Sequence, residues 1–285
     1  MNFDLRHGDC RNVLPTLPAG SVHCCITSPP YFGLRDYGHE NQIGLEQTPE
    51  AFVQELVEVF RDVKRVLRDD GTLWLNLGDS YNAYNANRGA STSISDGKAG
   101  RGHPTHRRGL TTSTLKNKDL IGIPWRVAFA LQDDGWYLRQ DIIWHKPNPM
   151  PESVRDRCTK AHEYIFLLSK GPRYHFDSEA MQEPTSQNGA GATLGTRNRR
   201  SVWSVSTKPF KGAHFATFPP DLIEPCILAG CPAGGTVLDP FMGSGTTAAV
   251  ALQHGRQFVG VELNPDYFAM AQQRLNETQL GFQLL

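Results

Sequence analysis

The chain has 285 residues, of which 39% are hydrophobic and 20% are charged, and this is enough for one sizeable α/β domain with insertions. Its 29 Lys and Arg residues balance 29 Asp and Glu residues, which argues against a protein that coats nucleic acid but allows a local basic patch. No apolar run approaches the roughly 20 residues of a spanning helix, so we expect a cytoplasmic protein without a membrane partner. The six cysteines lack Cys-x-x-Cys spacing, which predicts buried, reduced thiols and neither a zinc site nor disulfides.

Two short strands are predicted near the beginning of the chain. Residues 3–7 form a candidate strand, and the carboxylate of Asp9 follows it closely. Residues 22–26 are apolar and partly β-branched, which predicts a strand buried on both faces. The sites of open α/β sheets lie at the carboxyl ends of their strands, so both strand ends are candidate site positions. Asp9 can equally cap the next helix.

The second of these strands runs out into Thr27-Ser28-Pro29-Pro30-Tyr31. Two consecutive prolines fix φ twice and remove two backbone donors, so a stiff turn presents carbonyls and the Ser28 hydroxyl as acceptors beside the Tyr31 ring. Such a pocket suits a planar group that carries an amino donor. An ordinary strand-to-loop exit has the same composition, and the stretch alone does not decide between the two.

Residues 32–77 predict a loop, a helix and a third strand. The glycine-flanked aromatic residues 32–38 are typical of a mobile loop over a site. Thr48 then offers a cap and Pro49 the first helical position, and apolar residues recur at helical spacing until Asp70-Gly71 ends the helix. The strand at residues 72–77 follows.

Residues 82–118 differ in composition from the rest of the chain. Gly, Ser, Thr and Asn dominate, and seven basic residues face a single acid, Asp96. Such a segment cannot build a core. It is either a solvated, disordered insertion or a basic arm that neutralises phosphates and becomes ordered on a duplex.

The next part of the chain predicts a helix at residues 124–131, strands at 136–144 and 165–168, and then a second basic segment, residues 187–213. This segment contains no acid, and Trp203 lies in its middle. Basic residues interleaved with an aromatic one fit a segment that recognises a DNA target, and they equally fit a charged surface loop with one packed Trp.

A nucleotide-type site is predicted at residues 239–262. Asp239 ends a strand, Gly243 and Gly245 form a turn that lets backbone approach a ligand, and a helix begins near Ser244. The following strand ends at Glu262, a position from which an acid accepts hydrogen bonds from ribose hydroxyls. No Gly-Lys-Ser/Thr is present and the three-glycine dinucleotide fingerprint is incomplete, which favours a ligand with a ribose but without phosphates.

Together, Ser-Pro-Pro-Tyr at 28–31 and Asp-Pro-Phe-x-Gly-Ser-Gly-Thr-Thr at 239–247 resemble the amino-group DNA methyltransferases that use S-adenosylmethionine. The order matches the permuted β class, in which the catalytic motif precedes the cofactor motif. The resemblance covers nearly the whole chain. It implies one α/β domain over residues 1–285, with a Rossmann-like methyltransferase fold, a mostly parallel sheet, helices on both faces and circularly permuted motifs.

The resemblance assigns catalytic roles to the first motif. Ser28 and the Pro29 carbonyl would accept from the amino group of a flipped-out base, Pro30 completes the stiff turn, and Tyr31 would stack on the base. Positioning should carry much of the rate, because a conjugated amino lone pair is a poor nucleophile. Ser in the first position is more typical of cytosine-N4 members, and Asp or Asn of adenine-N6 members. Both accept the same hydrogen bond, so the target base is left open.

The same resemblance implies the remaining site residues. Asp9 would accept from the cofactor adenine, Asp239 would hold the methionine ammonium, and Asp79 would lie close to the target base. The predicted cofactor-binding residues are Asp9, Phe218, Pro219, Asp239, Phe241, Gly243, Ser244, Gly245, Thr246, Thr247, Glu262 and Asn264. A Trp-x-Lys-Pro … Asp-Arg … His-Glu pattern over residues 144–163 is expected to flank the base pocket. The predicted DNA contacts are Arg35, Arg107, Arg108, Lys146, Asn148, Arg157, Arg197, Arg199 and Arg200.

The expected partners are double-stranded DNA of the nucleoid, a second copy of the chain and a cognate restriction endonuclease. Two other functions remain as alternatives. RNA or release-factor amino-methyltransferases usually carry Asn-Pro-Pro-Tyr after the cofactor motif, and the reversed order here argues against them. An inactive DNA-binding relative would not need Ser28, Tyr31, Asp239 and Glu262 intact, and it need show no saturable affinity for S-adenosylmethionine.

Overall fold

The computed structural model describes residues 2–34, 42–82, 115–185, 195–207 and 218–283, with side chains described as far as residue 277. The strands are β1 (Phe3–His7), β2 (Val22–Thr27), β3 (Leu67–Leu77), β4 (Tyr137–His145), β5 (His162–Ser169), β6 (Gln182–Pro184), β7 (Thr196–Asn198), β8 (Val202–Ser204), β9 (Thr236–Asp239) and β10 (Gln257–Glu262). The helices are α1 (Cys10–Val13), α2 (Pro49–Val66), α3 (Ile123–Asp133), α4 (Pro220–Gly230), α5 (Thr246–Gln253) and α6 (Pro265–Gln283). None of the helices within the described ranges is long and apolar enough to cross a membrane.

Eight strands form one sheet in the order β1-β10-β9-β2-β3-β5-β4-β8. The neighbours from β1 to β3 are parallel, β5 is antiparallel to both β3 and β4, and β8 is parallel to β4. The carboxyl ends of seven strands and the amino end of β5 therefore meet at one edge of the sheet. The predicted mostly parallel α/β sheet is confirmed.

Helices cover both faces of the sheet, and β2 shows why. Cys25 belongs to one hydrophobic cluster together with Phe52 of α2 and Val127 of α3, whereas Cys24 belongs to the other, together with Ile223 of α4 and Leu252 of α5. Both thiols are fully buried, so β2 is covered on its two faces, as its continuous apolar run predicted. Burying each large apolar side chain stabilises the fold by about 1.5–3 kcal/mol.

The structure corrects two local expectations. Helix α2 begins as predicted, with the Thr48 hydroxyl accepting from the Ala51 amide, but it ends at Val66 instead of at Asp70-Gly71. Leu67 is already extended and pairs with Val22, because the ladder with β2 replaces the last helical turn. Phe32, placed in a mobile loop, is 2% exposed and its ring centroid lies 5.5 Å from that of Phe52. Residues 35–38 of that loop lie outside the described ranges.

All six cysteines are free thiols, and five of them are buried. Cys158 is exposed, so the expectation of burial is wrong for this residue. Burial raises the pKa of Cys24 and Cys25 well above the ordinary thiol value, which keeps both protonated. Neither can serve as a thiolate nucleophile at neutral pH. Among the described residues, no group of three or more His, Cys, Asp and Glu side chains could hold a metal ion.

Candidate active site

A cavity of about 580 Å³ opens at the edge where the strand ends meet, a size typical of small-molecule sites. All four predicted catalytic residues line it, and so do nine of the twelve predicted cofactor residues. The other three lie behind the wall: Pro219 caps α4, Gly245 caps α5, and Thr247 lies beneath Asp239. The predicted catalytic residues and most of the predicted cofactor-binding residues therefore line the same pocket.

The Tyr31 hydroxyl is the centre of the catalytic half. It donates to Glu163 Oε2 at 2.7 Å and accepts from Ser28 Oγ at 3.4 Å. The Asn76 amide nitrogen lies 3.3 Å from the same Glu163 oxygen and donates to the Tyr164 carbonyl at 3.1 Å. A continuous chain of hydrogen bonds thus leads from Ser28 through Tyr31 to a carboxylate.

Gly78 fixes the place of the Tyr31 ring. A Cβ atom at Gly78 would come within 2.5 Å of Tyr31 Cε2, closer than real side chains allow. The residue that follows β3 therefore has to be glycine for the Tyr31 ring to lie against it with its hydroxyl on Glu163.

Glu163 is a site residue to which the sequence assigned no role of its own. It enters from the amino end of β5, which runs antiparallel to the other seven strands of the eight-stranded sheet, and its second carboxylate oxygen accepts from Lys146 Nζ. The Lys146 ammonium also lies 4.2 Å from the Trp144 ring centroid. The Trp-x-Lys-Pro … His-Glu pattern was the available signal, and the sheet brings its Lys and its Glu together.

Asp239 is the most buried acid of the cofactor half, with 1% of its surface exposed. Its carboxylate accepts from the Thr27 hydroxyl at 2.6 Å, the Thr247 hydroxyl at 2.7 Å and the Phe241 amide at 3.1 Å. Burial raises the pKa of Asp239 to about 6, although these three donors oppose the shift. A carboxylate has about four acceptor sites, so the bonds from the described residues leave one for a ligand ammonium or a water.

The glycine turn is held in an open shape by Glu262. One carboxylate oxygen accepts from the Gly243 amide and the other from the Asn264 amide, each at 2.8 Å. Gly243 has a φ of +54° and open space beside it. Ser244 Oγ, also in the pocket wall, is buried without a hydrogen-bond partner among the described residues. A buried orphan hydroxyl beside an open turn fits a polar ligand such as the amino acid end of S-adenosylmethionine.

A model of the N6/N4 family of DNA methylases matches residues 22–273, nearly the whole chain. The chain belongs to this family.

Curated relatives agree with the family assignment. The type II methyltransferase M.Cfr9I of Citrobacter freundii is 54% identical over 95% of this chain and 87% of its own. M.XycI of Xanthomonas campestris pv. cyanopsidis is 55% identical with the same coverage. M.SmaI of Serratia marcescens is 51% identical over 94% of this chain and 89% of its own.

Two solved structures share the fold. The PvuII DNA methyltransferase, described as cytosine-N4-specific, has a TM-score of 0.67, 22% identity, and a match covering 95% of this chain and 86% of its own. The putative DNA modification methylase TTHA0409 of Thermus thermophilus, in complex with S-adenosylmethionine, has a TM-score of 0.65, 26% identity and coverage of 97% and 94%. This N6/N4 family member is therefore a DNA amino-methyltransferase that uses S-adenosylmethionine and has a Rossmann-like methyltransferase fold.

Three polar residues of this methyltransferase also accept hydrogen bonds from backbone amides at the starts of helices. Asp9 accepts from the Arg11 amide as the cap of α1, which confirms the capping alternative, and Asn264 caps α6. Burial acts to raise the pKa of Asp9, but the hydrogen bonds and charge of Arg11 hold it below its usual value. Asp79 accepts from the amides of residues 122 and 123 at the start of α3. All three still line the pocket, so capping leaves their predicted roles open.

The predicted DNA contacts are dispersed. Lys146 lines the pocket, and the Asn148 side chain exchanges two hydrogen bonds with the backbone of Thr207. Arg157 pairs with Glu152, and its guanidinium carbon lies 3.9 Å from the Tyr81 ring centroid. Arg35, Arg107 and Arg108 lie outside the described ranges.

The arginines of the second basic segment have partners within the chain. Arg197 and Arg200 both bind Glu183 of β6, and Arg199 lies over the Trp203 ring at 4.4 Å. Trp203 is 4% exposed and belongs to the core cluster beneath β8, so it is a packing residue and not an exposed reader of bases. The structure matches the alternative of a charged surface loop with one packed Trp at this position.

Proposed function

We propose that this enzyme methylates the N4 amino group of a cytosine that it flips out of duplex DNA. The observation that carries the proposal is that the Ser28–Tyr31 turn and the Asp239–Glu262 half line one cavity. An amino nitrogen inside a base pair cannot reach such a cavity, so the base must leave the stack.

The choice of cytosine rests on two features. Ser28 occupies the first motif position, where cytosine-N4 members typically carry Ser. Lys146 and Lys160 also line the cavity, and ammonium groups can only donate. Burial lowers the pKa of Lys160, which indicates a partly desolvated donor that gains from an acceptor. Cytosine offers the carbonyl oxygen O2 as a strong acceptor, whereas adenine carries no carbonyl.

In the proposed mechanism Ser28 and the Pro29 carbonyl hold the two amino hydrogens, which aims the nitrogen lone pair away from them. S-adenosylmethionine supplies the methyl group as an electrophile on a sulfonium. As the nitrogen–carbon bond forms and the carbon–sulfur bond breaks, the amino group has to lose one proton. Ser28 takes that proton while passing its own to Tyr31, and Tyr31 passes its proton to Glu163, along the observed contacts.

The cofactor roles follow the same geometry. Asp239 offers its remaining acceptor site to the methionine ammonium, and Ser244 offers its unused hydroxyl to the carboxylate. Glu262 at the end of β10 and Asp9 beyond β1 both line the cavity. Glu262 would accept from the ribose hydroxyls, and Asp9 would accept from the adenine amino group. Phe218 lines the same cavity and would pack beside the methionine portion.

We also propose partners from the similarity to type II methyltransferases. The two basic segments, residues 82–118 and 187–213, would neutralise DNA phosphates around the pocket mouth. A cognate endonuclease with the same recognition sequence would cut unmethylated DNA, so methylation would protect the DNA of the nucleoid, which is the proposed substrate. The proposed assembly is a homodimer. The 54% identity with M.Cfr9I over 95% of this chain supports this role.

The proposed specificity is tested by sequencing DNA from a methylation-deficient host that expresses the protein, with a method that reads modified bases directly. We expect N4-methylcytosine at one fixed position in nearly every copy of one short motif. N6-methyladenine in a fixed motif would contradict the choice of cytosine as the target base but would agree with methylation of an amino group. Unmodified DNA, with binding of S-adenosylmethionine intact, would overturn the DNA substrate and favour RNA.

A further inference from the structure

Met150 is the most exposed of the large apolar side chains that the structure describes, at 86%. It lies at the mouth of the cavity, between Pro149 and Pro151, which also line it. At this position the side chain is available for a contact with a substrate that enters the cavity.

The loop that carries Met150 is anchored before the methionine. The Lys146 amide donates to the Ala161 carbonyl at 2.8 Å, and the Lys146 ammonium binds Glu163. The Asn148 side chain accepts from the Thr207 amide at 2.9 Å and donates to the Thr207 carbonyl at 3.2 Å. These contacts hold the start of the loop beside the end of β4 and beside the Glu163 carboxylate.

The loop is also anchored after the methionine. Glu152 binds Arg157, and Arg157 in turn packs on the Tyr81 ring. Prolines at 147, 149 and 151 fix φ at every second position. A loop constrained in this way cannot fold back to bury Met150, so the side chain is presented rigidly outward.

We propose that Met150 enters the DNA base stack at the place that the target base vacates. Apolar wedges, Met among them, insert between base steps in proteins that distort DNA, because they replace lost stacking contacts. The exposed Met150 side chain lines the same cavity as Tyr31, so insertion and flipping would occur at the same step. Met150 is thus a positioning residue that acts on the duplex, and the inference rests on the proposed flipping of a base from duplex DNA.

The test compares Met150→Ala with the wild type on two unmethylated duplexes that carry the motif recognised by the enzyme. One is fully paired, and the other has an abasic site opposite the target base, so the base is already unpaired. We expect Met150→Ala to lower kcat/KM about fivefold on the paired duplex and less than about twofold on the abasic one. Met150→Leu keeps an apolar wedge and should stay within about twofold of wild type on both. Phe129→Ala, another exposed apolar side chain but outside the cavity wall, should match wild type on both.

Equal losses on the two duplexes would overturn the inference, since they would reflect damage to the loop and not to flipping. No loss on either duplex would overturn it as well. A wild-type enzyme that methylates neither duplex would instead refute the proposed function, so the two failures are distinguishable. A fluorescent base analogue at the target position gives an independent readout: its emission should rise on binding wild type and rise less with Met150→Ala.

Discussion

Glu163→Gln should lower kcat about a hundredfold and change the affinity for S-adenosylmethionine less than about twofold. Gln can accept a hydrogen bond from Tyr31 but cannot take up a proton, and it leaves the Lys146 ammonium without its counter-charge. General-base contributions are typically 10²- to 10⁴-fold, and this substitution removes the end point of the proposed relay. Single-turnover methyl transfer measures the chemical step, and calorimetric titration measures cofactor binding.

Two further variants sharpen the Glu163 test. Tyr31→Phe keeps the ring and breaks the chain of hydrogen bonds, so it should show a similar loss, and the double variant should be little worse than either single one. Glu50→Gln removes a carboxylate that pairs with Arg126 away from the cavity wall and should leave kcat unchanged. Additive losses in the double variant, or an unchanged kcat in Glu163→Gln, would remove Glu163 from the relay.

The second large effect concerns Asp239 and pH. Burial raises the pKa of Asp239 to about 6, and only the ionised carboxylate attracts the ammonium of S-adenosylmethionine. Protonation as the pH falls through 6 therefore weakens binding. For a group that must be ionised, Kd rises by the factor 1 + 10^(pKa − pH), which is about 11 at pH 5 and about 1 at pH 7.5. We expect Kd to be roughly tenfold larger at about pH 5 than at about pH 7.5.

Asp239→Asn should bind the cofactor at least about tenfold more weakly at about pH 7.5 and should show a much flatter pH dependence. Some dependence should remain, because burial raises the pKa of Glu262 too and its protonation acts in the same direction. Asp62→Asn, on the α2 face with Arg65, is the matched control and should keep the full wild-type dependence. An Asp239→Asn variant that retained that full dependence would mean that another group controls binding.

The secondary-structure elements that could be predicted from the sequence are those determined by residues adjacent in the chain. The Thr48 cap and the Pro49 start of α2 depend on neighbouring residues alone, and the apolar run at Cys24 and Cys25 encodes a doubly covered strand without knowledge of its neighbours. The predicted end of α2 was wrong because Leu67 pairs with Val22 of β2, which lies 45 positions away in the chain.

The site residues that escaped prediction depend on contacts distant in sequence. Glu163 meets Tyr31 across 132 positions, and only the antiparallel insertion of β5 between β3 and β4 brings them together. Glu183 lies just outside the basic segment 187–213, so the segment's composition gave no sign that Arg197 and Arg200 are paired. Charge counted along a segment does not report on partners that the fold supplies.

Amino methylation at this site is tested most directly by a single-turnover reaction of the purified protein with S-adenosylmethionine labelled in its methyl group. The second substrate is a duplex that carries the motif, and the product is digested to nucleosides. We expect about one label per active site to appear in N4-methyldeoxycytidine. We also expect Tyr31→Ala to abolish this incorporation while cofactor binding persists. Label on carbon 5 of cytosine, or undiminished transfer by Tyr31→Ala, would contradict an amino-methylating site built on Ser28 and Tyr31.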